Sequence, residues 1–358
     1  MKKHDKHTSN RESALSENKG VSAPNSINPK AFIKKVEISI ATYISEIRKG
    51  NRVYLSKAIT LIESTNPKHQ QKANAIIKQC LAFSKKETIR IGITGVPGVG
   101  KSTFIETFGT YLTRIDKKVA VLAVDPSSSV TKGSILGDKT RMENLVRNEN
   151  AFIRPSPSGN SLGGVARKTR ETIMLCEAAG FDVVIIETVG VGQSETVVHS
   201  MVDFFLLLKL AGAGDQLQGI KRGIIEMADA IVINKADGDN IRQTKLAKIE
   251  FKRALQMYPH ADNGWIPKVT TCSALKNKNI ENVWKIIEDY IVLTQENTFF
   301  DKRRATQNKH WLLQTIEDQL KVNFYSKPKI AKQLLILTQK VEIGSISPFD
   351  AAAELLNL

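Results

Sequence analysis

The sequence predicts an α/β fold, a doubly wound and mostly parallel sheet with helical extensions at its N- and C-terminal ends. Three observations carry that expectation. Short runs such as Val119 to Val124 and Ala230 to Ile233 are apolar at almost every position, as strands are when helices cover both faces of a sheet. Longer stretches between them repeat their apolar residues every three or four positions, the spacing of amphipathic helices. The first run, carrying Ile89, Ile91 and Ile93, leads directly into a glycine-rich turn and then a helical stretch, and in such sheets that edge is where ligands bind.

Taken in order, residues 1–28 are polar and rich in Ser, Asn and Lys, and are expected to form a disordered tail. Residues 29–85 form an N-terminal helical extension of three amphipathic helices: Phe32, Val36, Ile40, Tyr43 and Ile47 mark the first, Leu55, Ile59 and Ile62 the second, Ala73, Ile76, Ile77 and Cys80 the third. The sheet domain spans 86–295, with strands at Ile89 to Ile93, Val119 to Val124, Val183 to Ile186, Phe204 to Leu208, Ala230 to Ile233 and Val269 to Cys272. Residues 296–358 return to helical spacing through Leu312, Ile316 and Leu320, then Ile330, Leu334 and Leu337. Ser347 and Pro348 then open a last helix as N-cap and first-turn proline, with Asp350 in its first turn. These C-terminal helices either close the domain's own core or reach to a second subunit.

Residues 95–102 read Gly95, Val96, Pro97, Gly98, Val99, Gly100, Lys101 and Ser102, followed by Thr103: the G-x-x-x-x-G-K-[ST] phosphate loop. Its glycines let successive N–H groups turn inward on a phosphate chain, and the following helix adds its positive end. Lys101 then reaches the terminal phosphates and Ser102 holds Mg²⁺. Further along, Asn234, Lys235, Ala236 and Asp237 end an apolar strand, the Asn-Lys-x-Asp spacing that reads guanine. The Asp237 carboxylate accepts from two donors that guanine has and adenine lacks, so ATP would leave a charge unpaired. The Lys235 stem lies along the base, and in Ser273, Ala274 and Leu275 a backbone N–H near Ala274 donates to the guanine O6. The expected ligands are GTP and GDP with Mg²⁺.

Composition narrows the alternatives. Three widely spaced cysteines, Cys80, Cys176 and Cys272, make neither a disulfide framework nor a metal clip, and each reads as a small buried hydrophobe. The few histidines form no tract for metal insertion. No apolar run approaches a bilayer span, and the N-terminus has no apolar segment behind its charges and carries acidic residues, so the expected location is the cytoplasm, with no membrane partner. Net charge is 52 − 36 = +16. The excess sits in clusters such as Lys302, Arg303 and Arg304 without interleaved aromatics, which reads as a solvated basic surface rather than a nucleic-acid groove.

Three further polar segments separate these motifs: Asp125-Pro126-Ser127-Ser128-Ser129 continuing through Gly137-Asp138-Lys139; Glu187-Thr188-Val189-Gly190-Val191-Gly192-Gln193-Ser194-Glu195; and Gly212-Ala213-Gly214-Asp215-Gln216-Leu217-Gln218-Gly219-Ile220-Lys221. In this order they resemble the methylmalonyl-CoA mutase-associated GTPases, the MeaB group, formerly described as ArgK-type transport-system kinases. The likeness covers about residues 85–290 in motif and the flanking helices in layout. It implies a P-loop GTPase, a homodimer through C-terminal helices, and a chaperone that gates adenosylcobalamin delivery to a methylmalonyl-CoA mutase or related acyl-CoA mutase and protects it. By that resemblance Asp125, Asp138 and Glu187 join Ser102 around Mg²⁺, and Lys221 belongs to a third switch that approaches the nucleotide when the partner is bound. Gln193 either orients the attacking water, as the glutamine of other GTPases does, or makes a structural hydrogen bond. The first switch reads Val130-Thr131-Lys132-Gly133 where relatives usually carry Arg-Thr-Gly-Gly, and Gln216 stands where they commonly have Glu. Competing readings are a protein kinase or ATPase of an amino-acid transport system, which would use ATP, and a metal-insertion GTPase.

Overall fold

The computed structural model describes residues 37–84, 87–124, 142–155, 162–188, 194–212, 222–258 and 262–358. The expected tail, and the sites Asp125, Asp138, Gln193 and Lys221, lie outside the described residues.

Three helices precede the sheet, each opened by a side chain that accepts an otherwise unmatched N–H. Ser39 caps α1 (Ile40–Arg48), Asn51 caps α2 (Arg52–Glu63), and Asn66 caps α3 (Pro67–Cys80), which also has proline in its first turn. Their buried faces carry Ile47, Leu55, Ile59 and Ile76 among the predicted apolar residues, while Phe32 and Val36, also expected in the first helix, lie outside the described residues. They pack on α6 (Leu162–Ala178). Arg52 ties α2 to the sheet domain by donating to the carbonyls of Asn148 and Ala151, both at 2.9 Å.

The sheet has seven parallel strands in the order β3-β2-β4-β1-β5-β6-β7. They are β1 (Ile89–Gly95), β2 (Val119–Val124), β3 (Ala151–Arg154), β4 (Val183–Thr188), β5 (Phe204–Lys209), β6 (Ala230–Ile233) and β7 (Lys268–Thr271). The chain runs outward from β1 to β2 and β3, returns to β4, then crosses β1 to β5, so β1 lies at the switch point where such sheets bind ligands. Six strands answer the apolar runs of the sequence. The seventh, β3, is four residues long at the sheet's edge, with Ile153 and Arg154 only half buried, too short and too polar to announce itself.

Helices α4 (Lys101–Arg114) and α10 (Ile280–Glu296) cover one face of the sheet, where Phe104 and Phe108 stack at 5.4 Å and Trp284 packs against Phe108. Two short helices, α5 (Glu143–Arg147) and α7 (Ser194–His199), follow β2 and β4 in the chain; α8 (Arg222–Met227) and α9 (Ile241–Leu255) flank β6. The long α11 (Phe299–Tyr325) buries Phe300, Gln307 and Trp311 from its N-terminal half and exposes Leu312, Leu313, Ile316 and Leu320 further on. Helices α12 (Pro328–Glu342) and α13 (Pro348–Leu356) enclose a small cluster of their own around Ile330, Leu337, Ala351 and Leu355. The three cysteines are free and buried, and burial pushes the thiols of Cys80 and Cys272 up to about 11 and 12.

The structure corrects the reading of Lys302, Arg303 and Arg304 as a solvated basic cluster. Arg303 and Arg304 are only 13% and 15% exposed and pair with Asp229 and Asp203, two carboxylates preceding β6 and β5. Composition along the chain cannot reveal partners lying 74 residues (303 − 229) and 101 residues (304 − 203) away.

Candidate nucleotide site

The carboxyl ends of the strands bring the motifs to one edge. Gly95 closes β1, Glu187 and Thr188 close β4, Asn234 follows β6 and Cys272 to Ala274 follow β7. The register sets Ile93 opposite Glu187 and Gly95 opposite Leu208, so these ends are level.

Glycine is required here by close approach. A Cβ on Gly95 would lie 2.7 Å from the Leu208 carbonyl oxygen, and one on Gly100, at φ +92°, would lie 2.9 Å from Asn234 Nδ2. Gly100 also serves as the N-cap of α4 without a side chain to bond the first turn. The helix's first backbone bond runs from Phe104 N–H to the Gly100 carbonyl at 2.9 Å, which leaves the amides of Lys101, Ser102 and Thr103 directed out of the helix's N-terminal end. That is an anion cradle.

Lys101 is 8% exposed and donates to the carbonyls of Gly95 at 2.7 Å and Val96 at 3.4 Å. Burial lowers its pKa, while the nearby carboxylates of Glu187 and Glu195 oppose that shift. A desolvated ammonium held by neutral carbonyls gains strongly from a phosphate oxygen in their place. Ser102 is half-buried in the same first turn, as is Glu187 at the end of β4. Beside them Thr188 donates to Thr94 at 2.9 Å, joining β4 to β1.

The base-reading segment is stapled to this loop. Asn234 Nδ2 donates to the Val99 carbonyl at 3.0 Å, and Lys235 Nζ donates to the Gly98 carbonyl at 3.0 Å. Asn234 Oδ1 accepts from the Ala274 amide at 3.1 Å, so that amide, expected to meet the base, serves here to lock the two base-side loops together. Asp237 accepts a hydrogen bond from the Ser273 hydroxyl, which fixes its carboxylate. Thr107 of α4 donates to the Ala274 carbonyl at 2.9 Å. Lys235 occupies the left-handed region at φ +59°, at a cost of about 1–2 kcal/mol for a residue with a Cβ, and Asn240 Nδ2 holds its carbonyl at 2.9 Å. Leu275 stands 75% exposed beyond them.

Three contributions escape a linear reading: Glu195 near Lys101, Ser273 as the support of Asp237, and Asn234 as a staple between loops. The first could have been found from the short gap between Glu187 and Glu195. The others need the strands aligned.

Comparison with known proteins places these residues in context. The model of the family described as "Methylmalonyl Co-A mutase-associated GTPase MeaB" matches residues 55–329. A protein of Mycobacterium tuberculosis named as a probable GTPase is 47% identical over 312 residues, covering 87% of this chain and 93% of that protein. The mouse protein named methylmalonic aciduria type A homolog, mitochondrial, is 44% identical over 317 residues, covering 86% of this chain and 76% of that one. A solved structure described as a LAO/AO transport system kinase superposes with a TM-score of 0.71 at 38% identity, over 90% of this chain and 98% of that chain.

Proposed function

Because this chain belongs to the methylmalonyl Co-A mutase-associated GTPase MeaB family and is a GTPase, we propose that it spends GTP as a chaperone of an adenosylcobalamin-dependent acyl-CoA mutase of the methylmalonyl-CoA type, gating cofactor loading and protecting the mutase. Support for the partner comes from the family's description and from the mouse relative's name. Support for the nucleotide comes from one observation above the rest: the Asn234 and Lys235 staples set a buttressed Asp237 carboxylate beside the phosphate cradle. That arrangement fits guanine and penalises adenine.

The chain's own residues divide the work. Amides at the start of α4 and Lys101 bind the phosphates; Lys235, Asp237 and the Ser273 to Leu275 loop hold the base. Among the described residues no group of three or more His, Cys, Asp or Glu side chains could cage a metal. Ser102 and Glu187, at the phosphate edge of the sheet, suit a cation that also takes water and phosphate oxygens. Mg²⁺ would be held by Ser102, with Glu187 through water and with Asp125 and Asp138, and would offset charge on the phosphates. Gln193 orients the attacking water, and Lys221 supplies a cation only when the partner is engaged. The protein acts in the cytoplasm as a homodimer, its contacts supplied by the C-terminal helices. Leu312, Leu313, Ile316 and Leu320 of α11, 47–62% exposed, form an apolar face suited to a second copy.

A transport-system kinase, the description of the superposed structure, is the second reading, and it requires ATP and a protein acceptor. Single-turnover hydrolysis of GTP and of ATP, with and without a cobalamin mutase, separates the two. The chaperone reading expects GTP alone to turn over, slowly, with acceleration by the mutase that Lys221→Ala removes; a finger-like cation is worth about 10³- to 10⁵-fold. ATP turnover without a mutase effect would overturn it.

A further inference from the structure

The N-terminal half of α11 grips residues 199–203, the link between α7 and β5. Arg303 Nη2 donates to His199 Nε2 at 3.2 Å, which requires a neutral imidazole accepting through that nitrogen. Trp311 Nε1 donates to the Ser200 carbonyl at 3.3 Å and Gln307 Nε2 to the Val202 carbonyl at 2.8 Å. Arg304 Nε donates to Asp203 Oδ1 at 2.8 Å and its Nη2 to Oδ2 at 2.6 Å. Arg303 is itself set by Tyr290 of α10 at 2.9 Å and by Asp229 at 3.6 Å.

The other end of α7 faces the nucleotide site. Ser194 and Glu195, at its start, are buried, and the Glu195 charge is felt at Lys101. Both α7 and the link behind it press on β1 without slack: a Cβ on Gly92 would lie 3.0 Å from Val198 of the helix and 3.1 Å from Val202 of the link. A displacement of α7 at its phosphate end is therefore carried to His199, because close-packed interiors shift between discrete arrangements rather than absorb strain.

The seam is also incompletely bonded. Among the described residues four buried side-chain polar atoms lack a hydrogen-bond partner, and three of them, Arg90 Nη1, Arg170 Nε and Gln307 Oε1, belong to side chains at this seam. Both arginines lie over the Trp311 ring, at 5.7 and 5.1 Å. Unmatched polar atoms are expensive and rare in a settled interior. Their gathering near Trp311 and Gln307 sets this seam apart from the rest of the described interior.

We propose that the seam between α11 and residues 199–203 is a coupling element that passes the nucleotide state from α7 to the C-terminal helices, with His199 and Gln307 as the positioning residues that register it. By thermodynamic reciprocity, a protein seated on the exposed C-terminal helices shifts nucleotide affinity through the same seam. The inference rests on the GTPase reading above, since it needs two nucleotide states to distinguish.

The test is hydrogen–deuterium exchange of the full chain with GDP and with a non-hydrolysable GTP analogue, in the parent, His199→Gln and Gln307→Met. In the parent, amides of α11 to α13 exchange at rates differing between the two nucleotides by about fivefold or more, the lower end of measured allosteric couplings. In each variant that difference collapses, while GDP affinity stays within about twofold, a change of under 0.5 kcal/mol. Gln307→Met removes an unmatched oxygen and keeps its volume, so it remains informative if the histidine variant folds poorly. A merely structural seam would lower the melting temperature of the variants and leave the nucleotide-dependent difference intact, which overturns the proposal. A parent that binds no guanine nucleotide overturns the proposed function first; a parent that binds both nucleotides with identical C-terminal exchange overturns the coupling alone.

Discussion

Asn234 donates to the Val99 carbonyl at 3.0 Å, across 135 residues of sequence, and in the same geometry accepts from the Ala274 amide at 3.1 Å. One side chain, 2% exposed, thus binds the phosphate loop, the end of β6 and the loop after β7 into a single unit. Asn234→Ala leaves a buried carbonyl and a buried amide without partners, each worth about 1–3 kcal/mol. The expected outcome is GDP binding weakened by at least about 30-fold together with a lower melting temperature. Fluorescence titration with labelled GDP measures the first. Unaltered affinity would mean that the loops hold their positions without the staple.

Asp237→Asn tests the base. The carboxylate is fixed by the Ser273 hydroxyl, so the amide that replaces it occupies the same place and presents a donor where guanine also presents one. Guanine binding should fall by about 10- to 100-fold, the cost of one mismatched polar contact of about 1–3 kcal/mol, while xanthine nucleotides, which carry a carbonyl there, should bind better than to the parent. Competition of GDP, XDP and ADP against labelled nucleotide measures the order. Ser273→Ala should show a smaller loss in the same direction, because it loosens the carboxylate without changing its charge, while also freeing the Lys276 amide, which donates to the hydroxyl at 3.1 Å.

Lys101→Ala should abolish measurable GTP hydrolysis and weaken nucleotide binding. The ammonium already sits on the Gly95 and Val96 carbonyls, with its burial cost offset in part by Glu187 and Glu195, and no other described side chain occupies that place. Hydrolysis at the parent rate in a single-turnover assay would remove the phosphate loop from the chemistry.

What the sequence makes legible is what lies close along the chain. The β1 run, its glycine turn and α4 are contiguous from Ile89 to Arg114, and the need for glycine at 95 and 100 follows from the same eight residues that bind phosphate. Asn234 to Asp237 is equally local. Illegible are features that depend on strands being laid side by side. Ser273 reaches Asp237 over 36 residues and Arg303 reaches His199 over 104, and neither spacing has a periodicity to read. Arg303 and Arg304 mislead for the same reason: a basic pair in sequence becomes two separate buried ion pairs once Asp203 and Asp229 are folded beneath α11. The edge strand β3 fails differently, since four residues, two of them half-buried, carry too little apolar signal to stand out.

Stability at acid pH should report on the seam beneath α11. Burial, and then the adjacent Arg303 guanidinium, lower the His199 pKa from 6.5 to about 4. The neutral imidazole is what accepts from Arg303. A folded pKa below the unfolded one means that the unfolded chain takes up its proton first as pH falls. The stabilisation from His199 is therefore full above about pH 6.5 and is lost as pH descends toward 4; from about pH 7.5 to about pH 5 the loss is at most about 2 kcal/mol. Asp229 works against it: burial pushes its carboxyl up to about 6, opposed by Arg303 and by the Phe205 amide, so its protonation favours the folded chain over the same range. A single melting curve would blend the two. Urea denaturation of the parent and of His199→Gln at several pH values isolates the histidine, because Asp229 is common to both. Relative to the variant, the parent should lose stability as pH falls from 6.5 toward 4; a difference that stays flat across that window would mean that His199 titrates normally and that Arg303 does not hold it.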